Sequence, residues 1–263
     1  MTNRITQTFQ ALASINSTAF VAYMMGGDPD LGASQKLLNA LPGAGVDIIE
    51  LGMPFTDPAA DGPTIEDAGL RSLKAGTTLK SILNMVRSFR QTNLTTPIII
   101  MGYCNPIHHM GYENFANAAK DAGVDGAIIV DLPPEEDSSL RKAFEVHDLA
   151  LIRLATPTTD ALRLPKVVDG TKGFVYYVSM TGITGAAFAK GASIKDQVSA
   201  VRKASNLPVV VGFGVKSPER ASEVAKDADG VVVGSAIVKT FHEEGHHAAI
   251  TLVRSLAEAT HNA

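Results

Sequence analysis

Glu50 and Asp61 stand eleven positions apart in the stretch Glu50-Leu51-Gly52-Met53-Pro54-Phe55-Thr56-Asp57-Pro58-Ala59-Ala60-Asp61-Gly62-Pro63-Thr64. Glu50 closes an apolar run that contains Val46, Ile48 and Ile49, and Asp61 lies on the Gly/Pro-rich loop beyond it. An acid at the end of a buried strand is costly unless it is paired or used. Two acids facing one cavity can divide acid–base labour. The pair points to an enzyme rather than a binding module.

Three glycine-rich clusters supply a second chemical signal. One apolar run is followed by Ser179, Gly182, Thr184 and Gly185, another ends in Gly212-Phe213-Gly214, and a third ends in Val233-Gly234-Ser235-Ala236. Glycines let the backbone approach an anion so that N–H groups donate to it. A helix starting at Gly234-Ser235 would aim its positive end at the same point. Each glycine alone reads as a tight turn; the three clusters together read as a phosphate cradle. No HxH, HExxH or carboxylate–histidine cluster has metal spacing, so no metal is expected. His108-His109 and His246-His247 are neighbours that do not face one ligand on a helix and read as solvated surface. No lysine ends a strand as a Schiff base would require; Lys216 reads as a loop or helix-start residue.

The elements that must position these groups follow from hydrophobic patterning. Eight β-rich runs occur at 20–24, 46–51, 97–101, 127–130, 149–154, 174–178, 208–212 and 230–233. They are continuously apolar, as expected of strands buried on both faces. Helical patterns separate them: Leu79, Ile82, Leu83, Val86 and Phe89 form one face, and Ile250, Val253 and Leu256 another. Ser217-Pro218-Glu219 reads as a capped helix start, and Pro133-Pro134-Glu135-Glu136 as a similar one. Eightfold alternation implies a single-domain (β/α)8 TIM barrel over residues 1–263. An extra N-terminal helix carrying Ile5, Phe9 and Leu12 is expected to plug its bottom. Function in such a barrel gathers on the loops after the strands, so Glu50 and Asp61 both belong to the C-terminal mouth.

Bulk properties agree. The chain has 263 residues, 45% hydrophobic and 19% charged, with a net charge of −4 that offers no basic field for nucleic acid. Cys104 is the single cysteine, which excludes a disulfide framework and suits a reducing cytoplasm. No apolar segment reaches the roughly 20 residues of a membrane span, and the first ten residues lack a signal-peptide pattern.

These residues together resemble the tryptophan synthase alpha family over essentially the whole length. The resemblance is carried by Glu50-Leu51-Gly52, Pro54-Phe55, Asp57-Pro58 and Ala60-Asp61-Gly62-Pro63. Gly27-Asp28-Pro29, Met101-Gly102-Tyr103 with Asn105-Pro106, Tyr176-Tyr177-Val178-Ser179, Gly182 with Thr184-Gly185, Gly212-Phe213-Gly214 and Val233-Gly234-Ser235-Ala236 complete it. It implies cofactor-free retro-aldol cleavage of indole-3-glycerol phosphate to indole and glyceraldehyde 3-phosphate. Glu50 would act as acid and base, ionised Asp61 would accept the indole N–H, and Tyr176 would hydrogen-bond the reacting hydroxyl. Tyr23, Met101 and Phe213 would form the indole slot, and Thr184, Gly185, Gly214, Gly234 and Ser235 the phosphate site. The resemblance also implies docking on a pyridoxal-phosphate beta subunit in an alpha2beta2 heterotetramer, through Pro54, Phe55, Asp57, Pro58, Asn105 and Pro106. The chain departs from the family after Gly185, where Ala186-Ala187-Phe188-Ala189-Lys190-Gly191 is less charged, and at Met180, where some relatives carry arginine. This loop would act as a lid.

Structural alternatives accompany each assignment. Asp61 could cap the helix beginning near Pro63, Glu50 could sit in an ion pair, and Tyr176, Tyr23, Met101 and Phe213 could be packing residues. Asp131 is expected to cap the Pro133 helix or orient a neighbour, and Cys104 to be a buried small residue. As whole-chain alternatives stand a free-standing lyase, a catalytically idle scaffold barrel and a phosphosugar isomerase. Retention of both acids and the phosphate glycines disfavours the scaffold, and an isomerase predicts metal ligands or a differently placed acid that the sequence does not show.

Overall fold

The computed structural model describes residues 3–178, 193–212 and 214–263. Eight strands form a closed parallel barrel in sequence order: β1 Ala19–Met25, β2 Ile48–Gly52, β3 Ile98–Gly102, β4 Gly126–Ile129, β5 Ala150–Ala155, β6 Val175–Val178, β7 Val209–Gly212 and β8 Gly230–Val233. Every one overlaps its expected run, and β8 closes on β1 with Val21 opposite Val232. The barrel reading is therefore correct.

Alternation along each strand divides the apolar residues between two cores. Val21, Ile48, Ile99, Ile128, Ile152, Val210 and Val232 point into the barrel. Phe20, Ile49, Ile100, Ala127, Leu151 and Val211 point outward against the surrounding helices. Helix α1 (Arg4–Ser14) closes the bottom by adding Ile5, Phe9 and Leu12 to the interior cluster, with the Phe9 ring edge-on to Phe174 at 5.8 Å. No described helix is long and apolar enough to cross a membrane.

The bottom is also stapled by aspartates. Asp47, Asp125 and Asp229 stand immediately before β2, β4 and β8. Each accepts a backbone N–H from the preceding strand: Phe20 at 2.8 Å, Ile98 at 2.8 Å and Val209 at 2.7 Å. Each also has a cationic or imidazole partner. His261 reaches Asp47 at 2.8 Å, Arg90 and Arg4 reach Asp125 at 2.8 and 2.9 Å, and Arg202 reaches Asp229 at 3.0 Å. The residue before β6 is Phe174, so the β5–β6 pair lacks this device.

Helix signals were mostly sound. Helices α2 (Leu31–Ala40), α3 (Pro63–Lys74) and α4 (Leu79–Phe89) precede β3, and α4 buries Ile82, Leu83, Val86 and Phe89 as the pattern required. Between β3 and β4 lie α5 (Cys104–Met110) and α6 (Tyr112–Ala122), and α7 (Ser138–Val146) follows β4. Helices α8 (Leu164–Val168), α9 (Ile194–Ser205) and α10 (Pro218–Ala225) follow, and Ser217 caps α10 by accepting the Arg220 N–H. Helix α11 (Ser235–His261) breaks at Gly245 and carries the buried Val253 and Leu256.

One helix start is corrected. Residues 133–136 form a turn, closed by Glu136 N–H to Pro133 carbonyl at 3.0 Å, and α7 begins at Ser138. Of the acids that suggested a helix start, Glu135 is engaged elsewhere, paired with Arg163 and Lys166, while buried Asp137 just beyond pairs with Arg141 and Arg153. Asp131 therefore has no helix to cap at Pro133. It accepts the Cys104 N–H at 2.7 Å and holds the first turn of α5 instead. Cys104 is half-buried, its Sγ 3.4 Å from the Tyr112 hydroxyl.

Candidate active site

The inward parity that fills the barrel with valine and isoleucine also selects what the cavity sees. Two residues beyond Val21, Ile48, Ile99, Val210 and Val232 come Tyr23, Glu50, Met101, Gly212 and Gly234, again inward and nearer the mouth. A cavity of about 890 Å³ opens there. Tyr23, Glu50, Asp61, Met101 and Tyr176 line it together with Gly214, Gly234 and Ser235. The structure thus brings the two acids, the tyrosines and one side of the glycine cradle into one hollow. Thr184, Gly185 and Phe213, and the lid sequence with Met180, lie outside the described residues.

Glu50 is fully buried and neither carboxyl oxygen has a hydrogen-bond partner among the described residues. Burial pushes its pKa up to about 8, so the carboxyl carries its proton near neutrality. The ion-pair alternative for Glu50 fails on this geometry. Asp61 is only half-buried. Burial raises its pKa, a hydrogen bond from the Tyr103 hydroxyl opposes the rise, and Glu66 adds to it. Its capping alternative fails too, because Gly62 occupies the cap position of α3 without a side-chain bond. Of the two acids, the better solvated one is the one suited to remain charged.

Tyr103 had no assigned role in the sequence, yet it holds the Asp61 loop. Its hydroxyl accepts the Ala60 N–H at 2.9 Å, and its ring stacks on Phe55 at 5.2 Å. The same stack brings the 53–62 loop beside α5. On that shared surface Asp57 and Asn105 are exposed, Phe55, Pro58 and Pro106 half-buried, and Pro54 buried.

Two strand-end glycines are explained by tyrosines. A methyl at Gly52 would collide with the Tyr23 hydroxyl, and one at Gly212 with the Tyr176 hydroxyl. Gly212, grouped by sequence with the phosphate glycines, is therefore clearance for a ring. Gly214 is different: its φ of +78° favours glycine, and it lies on the cavity wall. At Gly234 a Cβ would lie 3.2 Å from the Cβ of Tyr23. Helix α11 starts directly after it. Its first intrahelical bond is from Val238 to the Gly234 carbonyl, so the N–H groups of Ser235, Ala236 and Ile237 precede the helical ladder. Gly234, Ser235 and Ala236 line the cavity, and free N–H groups with a helix dipole behind them are the kind of donors an anion binds. Lys216 and Lys239 line the same cavity, a contribution the sequence reading did not assign.

Tyr23 and Tyr176 are 8% and 9% exposed, and burial raises both phenol pKa values well above the usual 10. The negative charge of Glu50 raises both further, and that of Asp61 raises Tyr23. Both hydroxyls remain protonated donors at any physiological pH.

Comparison with known proteins adds an independent line. The family model described as tryptophan synthase alpha chain matches residues 9–263. A solved structure from Aquifex aeolicus VF5 is 36% identical, covers 99% of this chain and 100% of its own, and superposes with a TM-score of 0.91. Tryptophan synthase subunit alpha from Legionella pneumophila str. Paris is 37% identical over 100% of both chains, with a TM-score of 0.90. A ligand-free tryptophan synthase structure from M. tuberculosis is 34% identical, covers 98% of this chain and 99% of that one, and has a TM-score of 0.90.

Proposed function

The chain belongs to the tryptophan synthase alpha chain family, lyases of tryptophan biosynthesis, and on that premise we propose that it cleaves indole-3-glycerol phosphate to indole and glyceraldehyde 3-phosphate. The observation that carries this reading is the fully buried Glu50, without a hydrogen-bond partner among the described residues, sharing one hollow with Asp61, Gly214, Gly234 and Ser235.

Retro-aldol cleavage needs one proton delivered to indole C3 and one removed from the C3′ hydroxyl. A carboxyl with a pKa of about 8 starts protonated and can do both. Glu50 gives its proton to C3, and positive charge develops on the indole nitrogen. Asp61, as carboxylate, accepts the N–H and stabilises that charge. The Glu50 carboxylate then takes the C3′ hydroxyl proton. The C3–C3′ bond breaks, its electrons restore the aromatic indole, and C3′ becomes the aldehyde carbon. Glu50 ends as it began. Tyr176 hydrogen-bonds the reacting hydroxyl, while Tyr23 and Met101, with Phe213, bound the indole ring. The phosphate would lie against the first turn of α11 and Gly214, with Thr184 and Gly185 as its further contacts.

This chemistry uses no cofactor in this chain; pyridoxal phosphate belongs to a beta partner, to which indole passes. The surface of Phe55, Asp57, Pro58, Asn105 and Pro106, with Pro54 beneath it, is the docking face of an alpha2beta2 complex in the cytoplasm. The test is a coupled assay for indole release from indole-3-glycerol phosphate, with and without a beta subunit. Indole release that rises with the partner is expected. Absence of release in both arms refutes the substrate, and partner-independent release supports a free-standing lyase.

A further inference from the structure

Glu50 changes charge during the proposed cycle, and the site must accommodate both of its states. In the protonated state it has no hydrogen-bond partner among the described residues. In the ionised state a buried carboxylate needs a donor. The question is which group supplies it.

Tyr23 is placed for that task by three features. It is the register partner of Glu50 across the β1–β2 ladder, on the same inward face. Its ring crosses Gly52, the next inward position of the Glu50 strand, because glycine leaves room for the hydroxyl there. The ring lines the cavity together with Glu50. Inward neighbours on one strand are separated by about 6.6 Å, a gap that one turn of a glutamate side chain and a tyrosine hydroxyl can close between them.

We propose that the Tyr23 hydroxyl donates a hydrogen bond to the Glu50 carboxylate once its proton has gone to substrate, so that Tyr23 is a positioning residue that sets the proton affinity of Glu50. Tyr23 keeps its own proton throughout; only the Glu50 proton is transferred. The other titratable groups around the Tyr23–Glu50 pair are Tyr176 from β6, which acts on both, and Tyr103 after β3 and Asp61 on the loop after β2, which act on Tyr23. Lys216, Lys239, Glu243 and Glu244 stand farther round the wall. Burial opposes ionisation of Glu50, which makes a neutral donor at Tyr23 the more necessary.

The inference deepens the cleavage reading and rests on it for its kinetic arm, whereas its titration arm stands alone. The variant is Tyr23→Phe, which keeps the ring and removes the donor. Carbon-13 NMR of the Glu50 carboxyl in the ligand-free protein should show titration displaced upward by about one unit, the size expected of a lost hydrogen bond to a charged group. In the indole assay, kcat should fall about ten- to a hundredfold with KM nearly unchanged. Gly52→Ala, whose methyl takes the hydroxyl's place, should reproduce the upward displacement by a separate route. An unshifted Glu50 titration in Tyr23→Phe, or a change confined to KM, overturns the proposal and leaves Tyr23 as a wall of the indole slot. If the wild-type protein releases no indole, the substrate reading fails, and the titration alone decides the role of Tyr23.

Discussion

The two ends of the barrel treat acidic side chains in opposite ways. At the bottom, Asp47, Asp125 and Asp229 each accept a strand N–H and meet a basic partner. At the mouth, Glu50 is more deeply buried than Asp47 or Asp229 and has neither among the described residues. Burial without a partner raises the cost of ionisation, and a fold seeking only stability would place an apolar residue there. The bottom acids hold strands in place; the mouth acid holds a proton in readiness. Placement relative to strand direction separates the two uses, as barrels in general place stability and chemistry at opposite faces.

The comparison breaks most visibly at Glu50. Glu50→Gln should lower the rate of indole release by about a hundred- to ten-thousandfold while leaving substrate affinity nearly intact. The same variant should gain stability. The folded-state pKa of Glu50 is about 8 and its ordinary value 4.5, so the native state binds the extra proton between those limits. The wild type therefore loses stability relative to the glutamine variant as pH rises from about 4.5 to about 8, and the difference then levels off. Urea titrations of both proteins at several pH values would measure it; a pH-independent difference would remove the raised pKa from the argument.

At the opposite end, Asp125→Ala should cost about 3–5 kcal/mol of stability, because it strands buried Arg90 without its partner. Activity per folded molecule should be unaffected. A small loss would mean that the Arg90 bonds to the Gly123, Asn93 and Thr96 carbonyls are enough. Asp61→Asn should cost about 2–4 kcal/mol of transition-state stabilisation. A kcat loss of less than about tenfold would remove Asp61 from the indole N–H role.

The smallest expected effect is at His261. Its bond to Asp47 raises its pKa, with burial opposing. A histidine bound more tightly when protonated stabilises the fold fully below its unfolded pKa, and the benefit fades as pH rises through the folded one. His261→Gln should therefore destabilise by under about 1 kcal/mol at acidic pH and by nothing measurable in alkaline solution. Thermal unfolding across that range reads the difference.

Much of this was visible in the sequence because it depends on local pattern. The eight strands announce themselves as β-branched runs, and the parity of Val21, Ile48 and Val232 carries Tyr23, Glu50 and Gly234 inward without further information. The Ser217 cap is a local rule as well. What escaped depends on distant partners. The 133–136 segment carries helix-start residues, but Glu135 is claimed by Arg163 and Lys166 from beyond β5. Gly212 belongs to a glycine cluster in the sequence, and only the path of the Tyr176 ring reveals its purpose. Tyr103 acts on Ala60 and Asp61 across more than forty residues, a relation no spacing encodes.

The missing aspartate before β6 has a consequence for how the barrel comes apart. Three of the eight seams, β1–β2, β3–β4 and β7–β8, begin with a side-chain staple, and β5 and β6 are the two strands that belong to no stapled pair. Sub-global opening follows the least-fastened seam. Amide hydrogen exchange should therefore enter the sheet through Val175 and Tyr176 before it reaches Ile49 or Val210. Under mild denaturant the barrel would open around β5 and β6 while its three stapled strand pairs persist.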